Sequence, residues 1–387
     1  MKIDRVDVFR IRTTLPRNWP NPTASFVTEG AILLRVRTSD GLEGWGEPSP
    51  YGAPVDDTIA ALDGMREQIE GRPLEAVGAI ARQDEARGEH AYGRTPWTAA
   101  IAGLSQALWD LRAQAAGVPL YRLINPDAPA DASVRVYASA GMIYENGPRE
   151  QIVEEALAAR DEGYGGYKFR PFSPLATGSH FARAADPPPL DTRDLVRTAQ
   201  AVRDAAGPGL QLMLDAGCRL TDLDAAADVG RALTDLDFTF LEEPLRRDPA
   251  LYRQLRDRVG VPIAGGECFF SAAHFREWVA AGALGVLQPD VNFAGIDEVI
   301  AIGGVAESAR LPIALHSWST AISAAANLHL AAAMPACTML EFNRTYNPLL
   351  TDLLETPLTP EAGRLRVPGG PGLGVGIDER RLEHFRA

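Results

Sequence analysis

Apolar and polar positions follow two different rhythms in this chain, and the change falls near residue 125. At the N-terminus Val6, Val8 and Ile11 are spaced like strand residues. A second extended run, 31–37, turns at Asp40-Gly41 and returns through Leu42 to Trp45. Asp-Gly between apolar runs is a hairpin signal, because both residues tolerate the positive φ that a tight turn needs. Helical patterns follow. Between 98 and 116, Ile101, Leu104, Leu108 and Leu111 recur at steps of three and four, which gives one apolar face, and Gly117-Val118-Pro119 ends the helix. The first 125 residues therefore predict a small α+β unit.

From residue 133 the pattern becomes short apolar runs between alanine-rich helices. Candidate strands cover 134–140, 164–169, 210–215, 238–242, 262–266, 285–288, 312–316 and 338–342. Strands that alternate with helices favour parallel pairing through helical crossovers, and eight repeats over about 230 residues point to a closed (β/α) barrel. An open doubly wound sheet is the alternative, but no glycine-rich phosphate turn follows any of the strands. One stretch breaks the period: 171–190, rich in Pro, Gly and Ser, reads as an inserted loop over the substrate-binding face. The Gly/Pro-rich run 368–376 is expected to carry the chain back to the first unit. The expected organisation is a unit at 1–125, a barrel at 126–367 and a returning tail at 368–387.

Composition adds exclusions. With 46% hydrophobic and 23% charged residues the chain is an ordinary globular protein. No apolar run approaches the roughly 18 residues of a membrane span, and residues 1–12 lack a signal-like stretch, so a cytoplasmic location is expected. A net charge of −13 argues against nucleic acid and anionic membranes as partners. Any anionic substrate must then be met by local positive charge or a metal. Cys218, Cys268 and Cys337 form no CxxC pair and read as free thiols of a reducing compartment.

The candidate chemistry stands at the carboxyl ends of the strands. Asp215, Glu242 and Glu267 follow successive strands at steps of 27 and 25 residues, so three carboxylates reach one rim. Crowded carboxylates repel one another, and a shared hard cation such as Mg²⁺ relieves this. Asp290, His316 and Glu341 continue the series at steps of 23, 26 and 25 residues. An acid beside a histidine can hold one tautomer and raise its basicity. Across the barrel, Lys168 and Arg170 are two apart on a strand and share its inner face, where they can grip a carboxylate substrate.

This set, with Leu241-Glu242-Glu243-Pro244 and Gly265-Gly266-Glu267, resembles the enolase superfamily, and the His–Asp pair resembles its mandelate racemase subgroup. The first unit resembles that family's capping domain, with Ala107-Leu108-Trp109-Asp110-Leu111 falling in its helical motif. The resemblance spans nearly the whole chain. It implies a modified TIM barrel, (β/α)7β, with an α+β N-terminal capping domain completed by the C-terminal tail. It further implies one Mg²⁺ per site held by Asp215, Glu242 and Glu267, with Glu243 the lesser candidate of its pair. His316, oriented by Asp290, would be base or acid, Lys168 would stabilise the anion and Glu341 would hydrogen-bond the substrate carboxylate as an electrophile. The implied reaction is removal of a carboxylate's α-proton to give a metal-stabilised ene-diolate. The family also implies a homo-oligomer.

Two departures shape the expected activity. Arg170 stands where racemases of this kind carry a second lysine base, and arginine is a poor base. A dehydratase needs only His316, so dehydration of an acid sugar to a 2-keto-3-deoxy acid is expected ahead of a racemase, epimerase or cycloisomerase. Gly217 stands where relatives often have Asn, which removes one polar contact. Candidate substrate contacts are Arg17, Trp19 and Tyr51 on capping-domain loops, and His180 and Arg183 in the inserted loop. If Arg17 or Arg183 reaches the site, a diacid sugar becomes a plausible substrate.

Overall fold

The computed structural model describes residues 1–13, 29–49, 55–82, 95–140, 149–170, 190–344 and 347–387. Arg17, Trp19, Tyr51, His180 and Arg183 lie outside the described residues.

The N-terminal unit is an antiparallel sheet of β1 (Ile3–Thr13), β2 (Glu29–Thr38) and β3 (Glu43–Gly46), with β2 in the middle. Among the described residues four helices follow: α1 (Val55–Ile69), α2 (Leu74–Arg82), α3 (Pro96–Ala115) and α4 (Leu120–Ile124). Ile3, Val6, Ile32, Leu34 and Val36 from the sheet pack against Leu62, Met65, Leu104, Leu108 and Leu111 from the helices. Helix α3 begins where it does because Thr95 and Thr98 cap one another's backbone N–H groups and Pro96 needs no N–H partner at the first helical position. The single apolar face expected for α3 understates its burial. Ser105, Gln106 and Asp110 are buried as well, because the helix also lies against the barrel. Its close seat on β3 requires glycine: a Cβ on Gly46 would stand 2.0 Å from the Gly103 carbonyl oxygen.

The barrel runs β4 (Ser133–Ala140), α5 (Arg149–Asp161), β5 (Gly166–Phe169), α6 (Thr192–Ala206), β6 (Gln211–Asp215), α7 (Leu223–Asp235), β7 (Phe240–Glu242), α8 (Pro249–Arg256), β8 (Ile263–Gly265), α9 (Ala272–Ala280), β9 (Val286–Leu287), α10 (Val291–Ala309), β10 (Ile313–Leu315), α11 (Ala321–Ala333), β11 (Cys337–Asn343) and α12 (Pro348–Thr351). Neighbouring strands are parallel, and β11 pairs with β4 to close the ring. This is the expected modified TIM barrel, (β/α)7β. All eight predicted strands are present. A ninth, β12 (Arg364–Arg366), pairs antiparallel with β4 and was not foreseen. Asp191, Asp222 and Asp248 start α6, α7 and α8, each carboxylate accepting two backbone N–H groups of the first turn.

The C-terminal tail runs back over the first unit. Gly372 exchanges backbone hydrogen bonds with Val118 and Leu120, α13 (Glu379–Phe385) lies against β1, and the Ala387 amide donates to the Arg10 carbonyl. Among the described residues no helix is long and apolar enough to cross a membrane.

Inside the barrel, Tyr137, Met213, Phe240, Ala264, Val286, Ala314 and Met339 form an apolar cluster. Side chains two apart on a strand point the same way. The next inward positions on six of those strands or their extensions are therefore Ser139, Asp215, Glu242, Gln288, His316 and Glu341, with Lys168 and Arg170 on β5. The apolar cluster is the floor of a polar site.

Candidate active site

Asp215, Glu242 and Glu267 each bring one oxygen within 4.8 Å of the others. Asp215 and Glu242 end neighbouring strands in direct register. Glu267 follows Gly266, whose φ of 103° turns the chain at the end of β8; a Cβ there would come within 2.6 Å of Phe275. Glu243 turns away from the site into a two-point ion pair with Arg247, at 2.7 and 2.6 Å. The Gly217 amide donates to Asp215 Oδ1 at 2.8 Å, so the residue that lacks the expected Asn side chain still orients the first carboxylate.

The donor set fits a hard divalent cation. It is all oxygen, and Glu242 Oε1 and Glu267 Oε2 are buried without a hydrogen bond. Burial and then the neighbouring Asp215 hold the Glu242 carboxyl up at about 8, against the pull of Lys168. More positive charge than the protein supplies there would favour its ionised form.

Lys168 Nζ lies 2.6 Å from Glu242 and 3.0 Å from Glu341. Arg170 Nε lies 2.5 Å from Asp215, and its Nη2 is within 4 Å of Glu242, Glu267 and Glu341. Burial disfavours both cations, but these carboxylates outweigh it and raise both pKa values above their ordinary range.

His316 Nδ1 is 2.7 Å from Asp290 Oδ2, and Nε2 is 3.2 Å from Glu267. Asp290 is the N-cap of α10, and its Oδ1 accepts the Asn292 amide. Burial opposes the imidazolium, yet Glu267, Glu341 and Asp290 raise the His316 pKa to about 9. Burial also opposes ionisation of Glu341, but Lys168, His316 and Arg170 bring it down to about 2. Glu341 also accepts the Trp318 indole N–H at 2.9 Å.

The described candidates Lys168, Arg170, Asp215, Glu242, Glu267, Asp290, His316 and Glu341 therefore meet at one end of the barrel. Two neighbours were not foreseen. Gln288 donates to Glu242 Oε2 at 2.7 Å. Trp318 lies over the Arg170 guanidinium, 4.8 Å from ring centroid to Cζ. The inward step from Val286 signals Gln288, whereas Trp318 sits on a loop and has no such periodic signal.

A barrel covered by an N-terminal α+β unit, with cations, carboxylates and a His–Asp pair at its mouth, is the arrangement of an enzyme of the enolase superfamily. Residues 151–381 match the family described as enolase C-terminal domain-like, and residues 5–125 match the mandelate racemase/muconate lactonizing enzyme N-terminal domain. The chain belongs to the mandelate racemase/muconate lactonizing enzyme family of the enolase superfamily. It is 28% identical to D-galactarolactone cycloisomerase of Agrobacterium fabrum, over 100% of this chain and 99% of that protein. It is 30% identical to D-galactonate dehydratase of Ralstonia nicotianae, over 98% and 93%. Among solved structures it is similar to the 3,6-anhydro-D-galactonate cycloisomerase of Zobellia galactanivorans, with TM-score 0.83, 25% identity and full coverage of both chains.

Proposed function

We propose that this protein is a Mg²⁺-dependent acid-sugar dehydratase acting on an aldonate or aldarate. The observation that carries the reading is an asymmetry among the groups at the mouth. Lys168 and Arg170 each lie against two or more carboxylates, whereas His316, fixed by Asp290 through Nδ1, presents Nε2 to the site and is the one of the three whose pKa lies nearest neutrality. A racemase needs a base on each face of the α-carbon. An elimination needs one.

Lys168 and Arg170 bind the substrate carboxylate and meet the negative charge that grows on it. Asp215, Glu242 and Glu267 would hold the cation. When bound, it would share the charge of these carboxylates, lessen the pull of Glu267 on the His316 proton, and polarise the substrate carboxylate. His316 Nε2 takes the α-proton, and Asp290 stabilises the imidazolium through Nδ1. The same proton then passes to the departing β-hydroxyl. The C–O bond breaks, water leaves, and the enol becomes the 2-keto-3-deoxy acid. Glu341 orients Lys168 and Trp318.

A second reading is supported by the Agrobacterium and Zobellia relatives, both cycloisomerases by name. The same proton abstraction would then expel a ring oxygen in place of hydroxide. The test is incubation with Mg²⁺ and a panel of mono- and diacid sugars, lactones and anhydro sugars in D₂O, followed by proton NMR. A keto-deoxy product with release of water supports the dehydratase. Ring opening without loss of water supports the cycloisomerase. Exchange of the α-proton alone would overturn both.

A further inference from the structure

Glu47 belongs to the capping unit, yet its carboxylate acts on the barrel. It stands directly after β3 and is buried. Oε1 accepts the Thr320 amide at 3.1 Å, and Oε2 accepts the Thr320 hydroxyl at 2.6 Å and the Ser323 amide at 3.2 Å. Thr320 is the N-cap of α11 and already accepts the Ile322 amide with its own side chain. The helix therefore has a local cap and also a carboxylate from the other unit. Gln106 on α3 fixes Glu47 from behind, accepting its amide at 3.2 Å and donating to its carbonyl at 3.0 Å.

Helix α11 carries this seat to the His–Asp pair. Ser323 and Asn327 are four residues apart and share a helix face. Ser323 Oγ donates to Asn292 Oδ1 at 2.6 Å, and the Asn292 amide donates to Asp290 Oδ1 at 2.9 Å. Asn327 Nδ2 donates to Asp290 Oδ1 at 3.0 Å and to the His316 carbonyl at 3.1 Å, while its Oδ1 accepts the Val291 amide at 3.1 Å. Two donors thus occupy Asp290 Oδ1 and leave Oδ2 to His316. The loop from His316 to Thr320, which bears Trp318, is held at one end by Asn327 and at the other by Glu47. Every side chain in this relay is buried.

We infer that Glu47 and Asn327 are positioning residues for the His316–Asp290 pair, so that the seat of the capping unit on α11 sets the orientation of the group that moves the proton. This rests on the reading of that pair given above. Neither residue touches reacting atoms, and both act through α11. A carboxylate serves at position 47 because it can accept three donors at once, whereas the amide of Gln would turn an N–H₂ toward some of them.

The test compares the full-length protein with E47Q, E47D and N327A. Nitrogen-15 histidine labelling and proton NMR report the His316 Nδ1–H, which a short bond to a carboxylate moves far downfield and protects from solvent exchange. In E47Q and N327A this resonance is expected to broaden or move upfield and to exchange roughly tenfold faster, and kcat to fall about 10- to 100-fold with KM changed less than about threefold. Mg²⁺ affinity by calorimetry should stay within about twofold, and E47D should recover part of the loss. An unchanged resonance in the folded variants would overturn the inference. So would a loss of Mg²⁺ affinity in step with kcat, which marks general loosening. If E47Q does not fold, N327A decides. The spectroscopic arm needs no substrate. If no acid sugar turns over, the dehydratase reading fails by itself and the resonance alone decides the positioning role.

Discussion

Asp110 on α3 and His329 on α11 hold opposite sides of a single residue of the tail, Leu373. Asp110 accepts the Leu373 amide at 2.8 Å, and His329 Nε2 donates to the Leu373 carbonyl at 3.0 Å. The other ring nitrogen accepts the Tyr121 amide at 3.2 Å, so the imidazole must be neutral. One tail residue thus ties the capping unit to the barrel.

The acid stability of the fold follows from this clamp. Burial lowers the His329 pKa from 6.5 to about 4, only partly opposed by its bond to Leu373. The folded value lies below the unfolded one, so the contribution is complete above pH 6.5 and is lost as pH falls toward 4. That loss is on the order of 3 kcal/mol. Asp110 works in the opposite sense. Burial raises it from 3.8 to about 6, so its contribution is complete below 3.8 and lost as pH rises through 6. The difference in unfolding free energy between the wild type and H329Q should therefore narrow as pH falls from 6.5 to 4. A difference that stays constant across denaturation curves in that window would contradict the neutral clamp.

Glu242 and Glu243 are adjacent in the chain and should respond in opposite ways. E242Q should abolish calorimetrically detected Mg²⁺ binding with the fold intact. E243Q should retain binding but lose about 1–2 kcal/mol of stability, because Arg247 loses its two-point partner and keeps the more distant Glu267. Equal Mg²⁺ affinity in the two variants would rule out this division.

Replacing the proposed base should leave the metal site alone. H316N should lower turnover and α-proton exchange by roughly 10²- to 10⁴-fold while Mg²⁺ affinity is held within about twofold. Exchange in D₂O that persists at the wild-type rate would require another base. EDTA should remove turnover in the wild type, and added Mg²⁺ should restore it.

Trp318 can be separated into its ring and its N–H. W318F keeps an aromatic face over Arg170 and loses the donor to Glu341, and should raise KM for the acid substrate by about tenfold or more. W318L loses both contacts and should raise it further. Steady-state kinetics that rank the two variants the other way would show that the ring contributes nothing.

Much of this site was legible because strand geometry repeats. A two-residue alternation along each strand and a step of about 25 residues between strands are enough to put Asp215, Glu242, His316 and Glu341 on one rim. Gln288 obeys the same alternation but resembles any other polar strand residue, and only its bond to Glu242 marks it out. Trp318 lies on a loop, where no period applies. The contact from Glu47 to Thr320 crosses 273 positions and two structural units, so no local pattern announces it. The polar residues of α3 carry no such signal. Ser105 donates to Asp297 and Gln106 to the Val291 carbonyl, both on α10 of the barrel, while Asp110 accepts the Leu373 amide of the tail.

The apolar cluster of Tyr137, Met213, Phe240, Ala264, Val286, Ala314 and Met339 lies under the polar residues at the strand ends. Apolar side chains offer those charges neither hydrogen bonds nor solvation, so each charge at the mouth has to be met by a neighbour within the site itself. A substitution that deletes one charge there leaves its partner facing a surface that cannot replace it.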